Sequence, residues 1–234
     1  MNNTKSEIPE TLDDHIFYGL RLDEKQKRFR DSIWDRNNLV TICNSRAGTG
    51  KTCIAIATAC LLYDYGLYSG IVYIVAPTME QKQGFIPGNP EDKNAPYRQP
   101  LDDALMSIGL DPNIVIKSSD NMRAIKEGRA YIDFISDTYL RGTNFENKVV
   151  IIDEAQNAYF DQMKKVLTRM HDNCKIILIG STIQIDIIKH SERSGFIPYL
   201  NAFKEVQEDP RVSICELTKN YRGWLSGFCD EVEF

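Results

Sequence analysis

Short apolar runs recur along the chain: LVTIC (39–43), IVYIVA (71–76), YIDFI (131–135), KVVIID (148–153), KIILIG (175–180) and VSICEL (212–217). The first two are continuous and β-branched, as in a strand buried on both faces of a parallel sheet. Between the runs lie segments with helical character. LDEKQKRFRDSIWD (22–35) precedes the first strand, and TCIAIATACLLYDYG (52–66) is apolar nearly all round, with Gly66 as its C-cap. YFDQMKKVLTRM (159–170) is amphipathic; Phe160, Met163, Leu167 and Met170 share one stripe at spacings of three and four, which predicts core packing. A further helix is expected near 196–207. Alternating strands and helices imply an α/β fold, a parallel sheet flanked by helices and joined by right-handed crossovers.

Residues 77–147 interrupt this rhythm. Pro77, Pro87, Pro90, Pro96 and Pro100 and the turn-like GFIPGNPED mark an insertion, with a helix near 98–108 and the strand at 131–135. Loops of that length in a compact domain usually carry function. The expected organisation is a polar leader over 1–20 and one domain over 21–234.

Composition narrows the class without choosing a chemistry. At 234 residues, 42% hydrophobic and 26% charged, the chain can bury a real core. No apolar run approaches the roughly 20 residues of a membrane span, and MNNTKSEIPE lacks a signal peptide's apolar stretch, so a cytoplasmic location without membrane contact is expected. Cys43, Cys53, Cys60, Cys174, Cys215 and Cys229 sit mostly in apolar stretches without Cys-x-x-Cys spacing, which favours buried thiols over disulfides or zinc. His15, His171 and His190 are too dispersed to imply a metal site. A net charge of −5 argues against a surface that coats polyanions generally, although a local basic groove would not show in that sum.

The chemistry is concentrated in NSRAGTGKT (44–52), which lies between a strand and a helix. That order is the one a phosphate-binding P-loop requires: backbone N–H groups of Ser45, Arg46, Ala47, Gly48, Thr49, Gly50, Lys51, Thr52 and Cys53 turn toward one point at a helix N-terminus. Lys51 reaches the β- and γ-phosphates, and the Thr52 hydroxyl ligates Mg2+. Ser45 stands where the pattern usually has its first glycine. VVIIDEAQ (149–156) then delivers two carboxylates to a strand's carboxyl end, where open α/β sheets bind ligands. There Asp153 would hold the magnesium and Glu154 would polarise the attacking water; on its own, the pair also reads as a solvated turn with an N-cap aspartate. Gln184, just past KIILIG, is a candidate sensor of the γ-phosphate and water, or a loop amide bonding backbone. Arg222, in ELTKNYRG, is a candidate arginine finger, or a surface residue.

With these residues aligned, the chain resembles the PhoH family, P-loop ATPases of RecA-like fold related to superfamily 1 helicase cores. The resemblance runs in order through GFIPG (84–88), PYRQPLDDAL (96–105), YLRGTNF (139–145), IIDEAQN (151–157), MKKVLTRM (163–170) and QID (184–186), and covers about 20–225. It implies ATP binding and hydrolysis and an RNA-linked, helicase-like role on single-stranded RNA. Gln26 then resembles a helicase glutamine that reads adenine, and a solvent-facing helix residue is the alternative. Arg141 matches the family's Arg-Gly, a candidate phosphate or RNA contact, and NYR (220–222) resembles a superfamily 1 motif. Three positions depart from the family: Ser45, Ala76 where an arginine is frequent, and Ser181 where an aspartate usually follows the glycine.

The length leaves room for that core alone, so a minimal ATPase module is expected. The family resemblance also implies a homo-oligomer, with a ring as one form, and Arg222 or Arg141 acting across an interface. Competing readings are a nucleotide-gated protein-binding module with negligible turnover, and a small-molecule kinase, which would want an arginine-rich lid that the insertion lacks.

Overall fold

In the computed structural model the residues described are 7–76, 90–136, 144–185 and 194–230. Six strands form one parallel sheet: β1 (Val40–Asn44), β2 (Ile71–Val75), β3 (Ile132–Ser136), β4 (Val149–Asp153), β5 (Lys175–Gly180) and β6 (Val212–Cys215), in the order β3-β2-β4-β5-β1-β6. All six coincide with the apolar runs within two residues. The strand preceding the glycine-rich loop and the strand ending in Asp153 are not neighbours, because β5 lies between them. Register brings Asn44 level with Gly180 and Val75 level with Asp153, so four carboxyl ends converge on one rim.

Alternate strand residues feed two cores. On one face Cys43, Tyr73, Val75, Ile151, Ile177 and Ile179 pack against α1 (Glu24–Trp34), α2 (Lys51–Asp64) and α3 (Pro90–Ser107). On the other, Ile42, Val72, Ile74, Val150, Ile152 and Leu178 meet helices formed later in the chain. Helix α2 has no polar face because sheet, α1 and α3 enclose it. It closes as expected at Gly66 (φ +71°), where Leu67 N–H reaches the Leu62 carbonyl and Gly66 N–H the Tyr63 carbonyl.

Three details differ from the pattern-based expectation. Helix α3 starts at Pro90 and runs through Pro96 and Pro100; burial of Leu101, Ala104 and Leu105 against α2 and the sheet holds it despite the missing donors. Two short helices, α4 (Pro112–Val115) and α5 (Met122–Lys126), precede β3. In α6 (Phe160–Leu167) the core positions are Met163 and Val166, whereas Phe160 is 41% exposed and stacks on Tyr199 of α7 (Phe196–Glu205). The six cysteines are free thiols, and Cys229, in α8 (Trp224–Asp230), is exposed rather than buried. No described helix is long and apolar enough to cross a membrane.

Candidate functional site

The loop between β1 and α2 owes its shape to backbone requirements. Gly48 and Gly50 adopt φ of +75° and +83°, a region L side chains avoid. A Cβ on Gly48 would also stand 2.6 Å from Asn220 Oδ1 and 3.2 Å from Arg222 Cγ, so the segment after β6 lies directly on the loop. Ser45 is not among the positive-φ residues and tolerates its side chain. Its buried hydroxyl accepts a hydrogen bond from Leu217 N–H (2.6 Å), and its own N–H donates to the Gly180 carbonyl (2.9 Å). The departure from glycine therefore fastens the loop to the segment following β6, in addition to the backbone bond to β5 that any residue would make. Lys51 is buried and donates to the Arg46 carbonyl (3.3 Å), which Thr49 Oγ1 also engages (3.0 Å). Cys53 commits its side chain to Ser107 of α3 (3.1 Å).

At the end of β4, Asp153 is 1% exposed and its carboxylate has three donors. Thr52 Oγ1 donates to Oδ2 at 3.0 Å, the Tyr73 hydroxyl to the same oxygen at 2.5 Å, and Glu154 N–H to Oδ1 at 2.8 Å. Burial, then the adjacent carboxylate, push the Tyr73 phenol well above its ordinary pKa, so it stays a donor. The Thr52–Asp153 pair fits magnesium: two hard oxygens 3.0 Å apart match the edge, about 3 Å, of an octahedron with metal–oxygen bonds near 2.1 Å. Glu154 sits in the left-handed region (φ +50°, ψ +39°), a conformation that costs a non-glycine residue about 1 kcal/mol or more. Its Oε2 accepts from Gln156 Nε2 at 2.7 Å.

Gln184 and Gln26 both face the loop. Gln184 Oε1 accepts from Ala47 N–H at 3.0 Å, inside the row of N–H groups expected to cradle phosphate. Gln26 is buried; it closes the capping box of α1 with Asp23, and its Nε2 donates to the Thr49 carbonyl at 3.0 Å. It is thus a helix-cap residue touching the loop rather than a solvent-facing one. Arg222 is exposed, with its stem beside Gly48, and Tyr221 ties the same segment down: its N–H donates to the Gly48 carbonyl (2.8 Å) and its hydroxyl to Asp23 Oδ2 (2.8 Å). Arg141 and the GFIPG segment lie outside the described residues.

Tyr73 and Gln156 complete this rim without standing out in the sequence. A tyrosine in an otherwise aliphatic strand was the available signal for the first, since a buried phenol seeks a partner. For Gln156 the signal was weaker: an amide two residues beyond Glu154.

The family described as PhoH-like protein matches residues 21–222. A PhoH-like protein of Mycobacterium tuberculosis is 32% identical over 195 residues, covering 82% of this chain and 51% of its own. Protein PhoH2 of Bacillus subtilis is 34% identical over 180 residues, covering 75% and 39%. The chain thus spans about half the length, or less, of these relatives. Among solved structures, the large terminase of a thermophilic bacteriophage, in complex with ADP, is similar at a TM-score of 0.50 and 14% identity, covering 85% of this chain and 46% of that one.

Proposed function

The chain belongs to the PhoH-like protein family and has the P-loop NTPase fold, and from that premise we propose that it binds ATP and hydrolyses it with magnesium, acting on or with single-stranded RNA. The observation that carries the reading is the Thr52–Asp153 pair, 3.0 Å apart and set against the glycine-rich loop. Thr52 and Asp153 hold the magnesium, which when bound neutralises charge on the phosphates. The loop N–H groups from Arg46 to Cys53 and the Lys51 ammonium take up the phosphate oxygens, whereas the Ser45 N–H, expected among them, is committed to the Gly180 carbonyl at 2.9 Å. Glu154 accepts the proton of the attacking water, Gln184 senses the γ-phosphate, and Arg222, beside Gly48, stabilises charge in the transition state. Gln26 holds the loop from the α1 side, through the Thr49 carbonyl, and contributes to reading the adenine. Arg141 contributes a phosphate or RNA contact. The RNA step rests on family resemblance, and the cytoplasmic, oligomeric setting is part of the same proposal.

Steady-state ATP hydrolysis tests the reading in wild type, Lys51→Ala and Glu154→Gln, with and without magnesium and single-stranded RNA. The expected outcome is magnesium-dependent turnover that RNA raises and that both substitutions reduce at least about 100-fold. ATP binding without turnover above the variants' background would instead identify a nucleotide-gated binding module.

A further inference from the structure

We propose that Gln156 is a positioning residue for hydrolysis, a clamp that holds the Glu154 carboxylate and the Gln184 loop in one fixed relation. The inference rests on the reading of Glu154 as the group that takes the water's proton. Gln156 is 1% exposed, yet its whole carboxamide is engaged with the rim. Nε2 donates to Glu154 Oε2 (2.7 Å) and to the Gln184 carbonyl (3.1 Å), and Oε1 accepts from Ser181 N–H (3.1 Å). Its backbone is fixed too, the Gln156 carbonyl accepting from the buried Ser194 hydroxyl at 2.7 Å.

One amide thus spends both donors and an acceptor on three groups at the ends of two neighbouring strands. No other side chain of that size supplies the combination: glutamate lacks the donors and methionine lacks both functions. The fold also makes room for it. A Cβ on Gly180 would stand 2.8 Å from Gln156 Oε1 and 3.2 Å from both Gln156 N and Phe196 Cζ, so a glycine at ordinary φ ends β5 where the amide and its backbone lie against it.

Two consequences follow for the chemistry. With Oε2 of Glu154 held by Gln156, the carboxylate cannot rotate at will, and the direction in which its other oxygen meets the water is set. Because the same amide group holds the Gln184 carbonyl, while Gln184 Oε1 reaches Ala47 N–H, the carboxylate and the phosphate loop are linked through three consecutive hydrogen bonds. A change in what Ala47 N–H donates to is therefore felt at Glu154. The Gln156 carboxamide is spent on Glu154, Gln184 and Ser181, so its effect belongs on turnover and not on nucleotide affinity.

The test compares wild type, Glu154→Gln, Gln156→Met and Gln156→Glu for ATP affinity, kcat and the pH profile of kcat, with thermal melting to verify folding. Gln156→Met should lower kcat roughly 10- to 100-fold with affinity within about threefold. Gln156→Glu keeps the acceptor for Ser181 N–H and sets a second carboxylate against Glu154. Its kcat should recover toward wild type as pH falls and the added carboxyl becomes a donor, a profile shift that mere loosening of the fold would not produce. Parallel losses of affinity and kcat in both variants, or an unchanged kcat in Gln156→Met, overturn the clamp while leaving the ATPase reading intact. No magnesium-dependent turnover in wild type overturns that reading and the clamp with it.

Discussion

Two buried charges stand at opposite ends of the sheet and are satisfied by different kinds of partner. Asp153, at the carboxyl end of β4, is held by the Thr52 and Tyr73 hydroxyls and one backbone N–H. Lys175, at the amino end of β5 and fully buried, donates to the main-chain carbonyls of Asp35 and Asn38, in the turn between α1 and β1. Both charges are hydrogen-bonded by neutral groups, so burial alone does not distinguish a functional group from a structural one. Exchangeability does. A hydroxyl rotates and can present its oxygen to a cation instead of its hydrogen to a carboxylate; main-chain carbonyls at a helix end have no second use. The rim carries polar groups that can change partners, and the opposite end carries one that cannot.

The largest effect expected from breaking this contrast is on turnover. Asp153→Asn keeps the side chain's size and an acceptor for Thr52 and Tyr73 but removes the charge a divalent cation needs. Turnover should fall about 10²- to 10³-fold, with unfolding free energy shifted by no more than about 2 kcal/mol. Hydrolysis assays across a magnesium titration, with urea unfolding of the same samples, measure both; a large stability loss with turnover preserved would make Asp153 a core residue that merely borders the loop.

Lys175 predicts the reverse, an effect on stability confined to a pH window. Burial lowers its pKa from the ordinary 10.5 to about 8. Below pH 8 both folded and unfolded chains carry the proton, and folding bears the full cost of burying the charge. Between pH 8 and 10.5 the folded chain releases it while the unfolded chain keeps it, so this group's contribution to stability rises with pH, by about 3 kcal/mol over the window. The buried thiols Cys43 and Cys60, pushed up to about 12, act in the opposite direction, because the unfolded chain ionises first. The usable signal is therefore the stability difference between wild type and Lys175→Met, which should shift in favour of wild type from about pH 7.5 to about pH 10.5. Activity near neutral pH should stay within about twofold. A difference that is flat with pH would mean the ammonium is not desolvated.

The contrast also explains what could be read in advance. A loop whose shape depends on two positive-φ glycines at fixed spacing, and an apolar strand ending in Asp-Glu, are local signals, and both are visible in the sequence. Ser45 looked like a departure from the pattern because its partner, Leu217 N–H, lies 172 residues away. Lys175 was illegible for the same reason: ahead of IILIG it reads as a solvated strand start, and its acceptors belong to a turn 137 and 140 residues earlier. Phe160 failed differently. A stripe at spacings of three and four places four residues on one side of a helix but does not say what covers each of them, and Phe160, 41% exposed, meets the Tyr199 ring of α7. The strain at Glu154 could not be foreseen at all, since nothing in IIDEAQ demands a left-handed residue.

The smallest predicted effect tests exchangeability directly. Ala47 N–H donates to Gln184 Oε1 at 3.0 Å, and one N–H cannot serve both this amide and a phosphate oxygen at full strength. Nucleotide binding therefore has to displace the glutamine, at a net cost of the order of one hydrogen bond, about 0.5–1.5 kcal/mol. Gln184→Ala removes the competitor and should tighten ATP binding about threefold. The same substitution deletes the proposed γ-phosphate sensor, so turnover should fall about tenfold. Affinity and turnover then move in opposite directions, a signature that a simple loss of packing does not give. Titration of a fluorescent ATP analogue alongside single-turnover hydrolysis separates the two. Weaker binding in the variant would show that the amide holds the loop open for phosphate, which would place Gln184 with Ser45 and Lys175 among the fixed partners and not the exchangeable ones.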